Sequence, residues 1–358
     1  MKHNLIALAV AAAFLTPMAA NAAPKVYGKL NLSVESYKKD LDASANDEEY
    51  TRLMSNASRF GLKGEDELTA DLSAVYQIEW GIDADQGLDT VDASGKVTNI
   101  EKITQRNRYV GIKSQQFGTV KIGKYDTYTK LAQGEIDLFN DFAGDMAFTI
   151  AGENRINNVI GYESPKFMDT QINVMTQTQD TVSTQAKPSK IKNGSSVSVV
   201  HQNEEMGLFV ALASDFGIDG DTALFAKRES NTIRLVGSYK IADLTLNALY
   251  SMSSAVVDTK RTDGKMYDDA ETAYLIGAAY KLNDIVLKAQ YSMAEADDTA
   301  GLAKTASKER TLMSVGADYN FASKTKAFVW YTTKEDSKVD AVNNIDETIL
   351  ALGVEHKF

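Results

Sequence analysis

Residues 26–37 read VYGKLNLSVESY, and the two interleaved halves of that stretch differ in kind. Val26, Gly28, Leu30, Leu32, Val34 and Ser36 fall on one side of an extended chain, and Tyr27, Lys29, Asn31, Ser33, Glu35 and Tyr37 on the other. Successive side chains of a strand point to opposite faces, so one face is apolar and the other charged. Residues 70–80 repeat the pattern, with Ala70, Leu72, Ala74, Tyr76, Ile78 and Trp80 set against Asp71, Ser73, Val75, Gln77 and Glu79. Residues 233–240 and 285–293 agree. Helical periodicity is not evident after the first 22 residues.

The connections between such segments alternate in length. Seven are short, at 65–68, 114–117, 164–169, 203–205, 242–243, 283–284 and 321–324. Eight are long and polar, at 38–49, 81–105, 126–154, 178–194, 215–230, 254–271, 296–309 and 334–346. Together they separate sixteen strands, and tight turns at one end with long loops at the other are the asymmetry of an outer-membrane barrel. A weak repeat places Tyr239, Tyr280, Tyr319 and His356 before successive short turns or the chain end. Aromatic rings there suit the lipid headgroup layer.

Composition narrows the classes. The chain has 358 residues, no Cys, three His and a formal charge of -11, so it offers no global basic surface to nucleic acid. Residues 1–22 put Lys2 before an apolar run and end in Ala20-Asn21-Ala22, the pattern of an export leader cleaved after Ala22. No later stretch approaches 18 consecutive apolar residues, which excludes a helical membrane bundle. The mean hydropathy of -0.27 suits a barrel that turns only half of its strand residues to lipid. A water-soluble β-sandwich alternates in the same way, but long strands in an exported acidic chain suit closure in lipid better.

Enzyme chemistry finds little to stand on. There is no Cys nucleophile, HExxH pair, glycine-rich phosphate loop or His/Cys metal spacing. The acidic runs Asp47-Glu48-Glu49, Asp268-Asp269 and Asp297-Asp298 lack the ligand spacing of a calcium loop and read as solvated loop surface. No metal or other cofactor is expected. The informative stretch is 126–154, which mixes Glu135, Asp137, Asp141 and Asp145 with Ile136, Leu138, Phe139, Phe142, Met146 and Phe148. A loop this long is usually functional or disordered, and disordered loops seldom carry so many bulky groups. In a wide barrel it could pack those groups on the inner wall and aim its carboxylates across the lumen; the alternative is a loop folded over the mouth.

Here the chain resembles the trimeric general-diffusion porins of Gram-negative outer membranes. Their constriction loop carries Pro-Glu-Phe-Gly-Gly-Asp, which Asn140-Asp141-Phe142-Ala143-Gly144-Asp145 resembles, and an acidic family residue four positions earlier falls on Asp137. The family's opposing basic residues match Lys29, Arg59, Arg106 and Arg155, and parity puts Arg108 with Arg106 on the inner face. A terminal strand ending in Phe358 resembles the signal read by the outer-membrane assembly machinery. The resemblance implies a 16-stranded antiparallel transmembrane β-barrel over residues 23–358 with an inward-folded third loop. It implies a homotrimer in contact with outer-membrane lipid and lipopolysaccharide that passes small hydrophilic solutes and ions. The acidic excess points to a weak cation preference. A substrate-specific channel and a structural or adhesive barrel with a blocked lumen remain as alternatives.

Overall fold

The computed structural model describes residues 23–41, 47–85, 88–91, 97–100, 103–178, 194–220, 223–224, 228–256, 270–298, 306–338 and 344–358. The expected leader and the Asp268-Asp269 pair lie outside them. The chain opens with β1 (Lys25–Leu41), β2 (Glu48–Ser55), β3 (Arg59–Glu67) and β4 (Leu72–Ile82), followed by a small hairpin of β5 (Leu88–Val91) and β6 (Val97–Ile100). Next come β7 (Ile103–Ser114), β8 (Gly118–Asp126), β9 (Arg155–Glu163), β10 (Thr170–Gln177), β11 (Ser195–Asn203) and β12 (Leu208–Gly220). The last seven are β13 (Arg228–Ile241), β14 (Leu244–Ala255), β15 (Ala270–Leu282), β16 (Ile285–Asp298), β17 (Ala306–Ala322), β18 (Thr325–Lys338) and β19 (Ile345–Lys357).

Two strands share one stave of the wall. β3 pairs with the start of β1, from Lys25↔Lys63 to Lys29↔Arg59, and β2 pairs further along it, from Leu32↔Ser55 to Lys39↔Glu48. Between them Ala57 takes φ 49 and Asn56 donates its N–H to the Asn31 carbonyl at 2.8 Å. Each remaining strand pairs antiparallel with its neighbours, and β1 closes on β19 from Lys29↔Lys357 to Leu41↔Ile345. The result is a closed 16-strand antiparallel barrel. Phe358 extends the seam by exchanging backbone hydrogen bonds with Gly28 at 3.3 and 3.1 Å. A Cβ on Gly28 would stand 2.5 Å from the Phe358 ring and 2.6 Å from the Arg59 carbonyl, so only glycine lets the terminal ring lie there.

The polarity is inverted relative to a water-soluble sheet. Val26, Leu30 and Val34 are exposed, while Lys29, Asn31, Ser33 and Glu35 are buried. Ile276 on β15 and Leu352 on β19 are 58% and 65% exposed and continue the apolar outer surface. Tyr239, Tyr280 and Tyr319 are exposed beside the short turns, opposite Leu208, Leu244 and Ile285 in the ladders. No helix among the described residues is long and apolar enough to cross a membrane, and the strands take that role.

The strands run further than the alternation suggests. β16 and β17 continue through 296–298 and 306–309, stretches that read as loop, because the backbone ladder runs on from Glu295↔Glu309 to Asp298↔Ala306, and polar pairs brace β17 against β18 just below. Arg310 bonds Asp336 on β18 at 2.8 Å and Thr311 bonds Glu335 at 3.2 Å. The stretch 81–105 holds the β5–β6 hairpin, whose Leu-Asp-Thr-Val and Val-Thr-Asn-Ile runs are four residues each, too brief to show a period. The 126–154 stretch holds α1 (Tyr128–Leu131), capped by Thr127 accepting from the Lys130 N–H, and a 3-10 turn at Met146–Phe148. Single turns leave no helical repeat to read.

An arginine on the exposed row near the midplane of a lipid-embedded barrel costs roughly 2 to 4 kcal/mol. Ile276→Arg should lower the unfolding free energy in liposomes by about that amount, read from reversible denaturant titration by Trp fluorescence.

Candidate functional site

The segment between β8 and β9 is tied to the polar face of the wall. The Leu138 N–H donates to Gln290 Oε1 at 2.8 Å, Asn247 donates to the Ile136 carbonyl at 3.0 Å, and Lys288 donates to the Leu138 carbonyl at 3.1 Å. Thr149 and Ser292 hydroxyls are 2.6 Å apart. Ile136, Met146 and Ile150 pack into one apolar cluster with Val236, Leu249, Leu275 and Ala294. Phe139 and Phe142 pack into another, Phe142 meeting Phe328 edge-on at 4.7 Å. Small wall residues such as Ala294 leave room between the larger ones, so the bulky residues of the segment can pack there.

Arg234 on β13 is the main clamp. It is wholly buried, donates to the Thr129 carbonyl at 3.2 Å and the Ala151 carbonyl at 2.6 Å, and meets Glu153 at 2.8 Å. Both arms of the segment therefore hang on one guanidinium. Burial pushes the Glu153 carboxyl up despite Arg234 and Lys130.

The four carboxylates expected in the loop separate into different roles. Asp141, in a left-handed conformation with φ 71, meets Lys29 at 2.7 Å and Arg59 at 3.0 Å; Asp tolerates that backbone. Burial opposes its charge, but Arg59 and Lys29 outweigh it and hold its carboxyl below the usual range. Asp145 accepts from the Asp141 N–H at 2.9 Å and caps the 3-10 turn through the Ala147 N–H at 2.8 Å. Burial raises its proton affinity. Asp137 does not face the basic residues. It is buried and accepts from the Phe139 and Met146 N–H groups at 3.1 and 3.0 Å and from Gln290 at 3.0 Å, tying the loop to itself and to the wall. Burial, then the neighbouring Asp145 charge, pushes its carboxyl up. Glu135 is exposed elsewhere, in a second cavity lined by Glu204, Phe209 and Lys240.

Four of the five expected basic residues converge. Arg106 meets Glu79 at 2.5 Å, Arg59 lies 3.9 Å from the same carboxylate, and Arg155 meets Asp126 at 2.9 Å and Asn107 at 2.7 Å. Lys29 adds a contact of 3.4 Å to Glu355. Arg108 departs from the expectation. It pairs with Ile78 in register, lies on the row of Val110 and Ile112, all three exposed apolar neighbours of its position, and its guanidinium sits 5.6 Å from the centre of the Trp80 ring. The cause is a bulge: Trp80↔Gln105 is followed by Ile78↔Arg108, so Arg106 and Asn107 stand opposite Glu79 alone. One extra residue reverses the parity that would have paired the two arginines on one face.

A cavity of about 430 Å³ lies between the loop and this wall beside the contacts of Asp141 with Lys29 and Arg59. Arg59, Arg106, Lys130 and Arg155 line it together with Asp126, Asp141, Asp145 and Glu153. Sequence reasoning missed Glu79, Asp126, Lys130, Glu153, Arg234 and Glu355. Glu79 and Arg234 were legible in principle, since each alternates with outward residues on a recognised strand. Among the described residues, no group of three or more His, Cys, Asp or Glu could hold a metal ion. What the arrangement can do is hold charges of both signs around one cavity.

An apolar exterior around a charged interior is the arrangement of an outer-membrane β-barrel. The model of the Gram-negative porin family matches residues 7–339, and the chain belongs to that family. It is similar to the major outer membrane protein P.IB of Neisseria gonorrhoeae, 26% identical over 390 residues covering all of both chains. Among solved structures it is similar to the anion-selective porin from Comamonas acidovorans, with TM-score 0.68, 18% identity and coverage of 94% of this chain and 99% of that one. It is also similar to OmpT of Vibrio cholerae in a trimer form, with TM-score 0.61, 15% identity and coverage of 94% and 99%. The protein is thus an outer-membrane porin.

Removing one partner of a buried ion pair costs about 3 to 5 kcal/mol, because the other charge is left uncompensated. Arg234→Leu should therefore destabilise the barrel strongly, and Arg234→Leu with Glu153→Leu much less, as read from heat-modifiable gel mobility against temperature.

Proposed function

We propose that this chain is a general-diffusion porin whose 127–154 segment folds inward and narrows a water-filled pore. The observation that carries the reading is the cavity lined by the Asp141 and Asp145 carboxylates of that segment and by the Arg59, Arg106 and Arg155 guanidiniums of the wall. Facing walls of opposite charge impose a transverse field that orders water and aligns dipolar solutes, so small hydrophilic molecules and ions pass in preference to apolar ones. Arginine stays protonated at any physiological pH, which keeps the basic wall charged.

Selectivity in this reading is weak and cationic. Four basic and four acidic side chains line the cavity, which favours neither sign strongly. The formal charge of -11 then tips the wider field toward cations. The Comamonas porin is named for anion selectivity, and the same measurement distinguishes the two. The chain acts as a homotrimer set among outer-membrane lipid and lipopolysaccharide, a reading supported by a Vibrio neighbour described in a trimer form. Phe358, paired into the seam, serves as the assembly signal. Neither a dedicated substrate nor a blocked lumen is needed to account for the cavity.

Purified protein in planar bilayers should give stepwise, ohmic, non-saturating current with a reversal potential on the cation side in a salt gradient. No current would support a blocked barrel, and saturation by one solute a specific channel. Asp141→Asn with Asp145→Asn should move the reversal potential toward anions, and Arg59→Gln with Arg106→Gln should move it further toward cations.

The same recording has a pH dependence. A carboxyl whose proton affinity is raised loses its charge before an ordinary one as pH falls, so protonation of Asp145 should weaken the cation preference as the solution is acidified. In Asp145→Asn that part of the slope should disappear.

A further inference from the structure

A second connection reaches the inner wall, and nothing in the pore reading assigns it a role. Ala223 and Leu224 belong to the link between β12 and β13, at the end of the barrel opposite the short turns. Both are buried, at 3% and 7% exposure, in the same apolar cluster as Met146 and Ile150 of the 127–154 segment. Tyr274 and Ile276 on β15 face outward, so Glu271, Ala273 and Leu275 face inward, and it is this inner row that the pair packs on.

The contact is built rather than incidental. Glu271, itself 2% exposed, accepts the Ala223 N–H on one carboxylate oxygen at 3.1 Å and the Leu224 N–H on the other at 2.9 Å. A carboxylate taking two successive backbone N–H groups makes charge-assisted bonds that fix position as well as energy. From the other side Arg310 on β17 donates to the Ala223 carbonyl and, at 3.5 Å, to the Phe148 carbonyl of the 127–154 segment. Asp336 holds that guanidinium at 2.8 Å, and its Cζ lies 4.9 Å from the centre of the Phe148 ring. One arginine therefore joins two chain segments that approach the lumen from different parts of the sequence.

We propose that the Ala223–Leu224 segment is a second constriction element, positioned by Glu271 and Arg310, which sets the size cutoff of the pore together with the 127–154 segment. The inference rests on the pore reading and deepens it. Its physical content is that lumen width on the β14–β17 side is set by a segment the barrel grips through two charged wall residues. Releasing the grip widens the path without altering the ladders.

Glu271→Ala removes the carboxylate. Leu224→Asp leaves the strands untouched and drives a new charge away from Glu271 and out of the apolar cluster. Each full-length variant is refolded, checked for wild-type heat-modifiable mobility, and measured for single-channel conductance and for the largest neutral sugar that swells proteoliposomes. Both variants should conduct more than the wild type and admit larger sugars, and Arg310→Gln should shift both quantities the same way. Unchanged conductance and an unchanged sugar cutoff in folded Leu224→Asp would overturn the inference while leaving a conducting wild type as a porin. Absence of wild-type current would remove the pore reading and this inference together.

Discussion

The constraint on which the rest depends is that a strand in lipid has no water for its backbone polar groups. Each N–H and C=O must find a neighbouring strand, so the sheet has to close on itself. β1 supplies the closure twice over, pairing with β19 along one edge and with β3 and then β2 along the other. Once the ladder is closed, the solvent arrangement follows. Acyl chains lie outside and water inside, so Val34 and Leu352 point out while Asn31 and Glu35 point in.

That inversion makes the interior a charged one, and charges on a curved inner wall cannot be placed singly without cost. The wall answers with local pairs. Arg106 and Arg59 share Glu79, Arg155 takes Asp126, and Lys29 bridges Asp141 and Glu355. The other side of the interior is treated differently. β12 to β16 contribute Ala211, Ala213, Ala273, Ala294 and Ala296, whose small side chains leave room for Ile136, Met146 and Ile150. The loop therefore leans on the small-residue side and presents polar groups to the charged side. Two kinds of wall give the interior its direction.

Period-two alternation carried the architecture. The stretch 26–37 and its repeats gave the two-faced strands, and the seven short and eight long connections between them gave the sixteen staves, because lipid and water on opposite faces leave a record in every second residue. What alternation could not carry was any place where the count slips. A single bulge between Gln105 and Arg108 was enough to send Arg108 to the outer row and leave Arg106 inside. Asp137 illustrates a different limit. Spacing placed it with the other loop carboxylates, but its oxygens are taken by the Phe139 and Met146 N–H groups and by Gln290. Which donors a carboxylate meets depends on the path of the loop, and that path is written in contacts with β16, some 150 residues away in the chain.

The pairing of wall charges also bears on how such a pore would choose among solutes. An ion pair at 2.5 to 3.0 Å has a field that falls off faster than that of a lone charge, and mobile ions screen it within about 8 Å at physiological salt. A passing ion therefore experiences the wall as closely spaced dipoles more than as a basic surface. Strong rejection of one sign would need several unpaired charges of the other sign at the narrowest point. Here each guanidinium facing the cavity has a carboxylate beside it. In the proposed pore width would then decide more than sign, and what holds the loop against the wall is Arg234 gripping both arms from β13, with Glu153 closing the clamp.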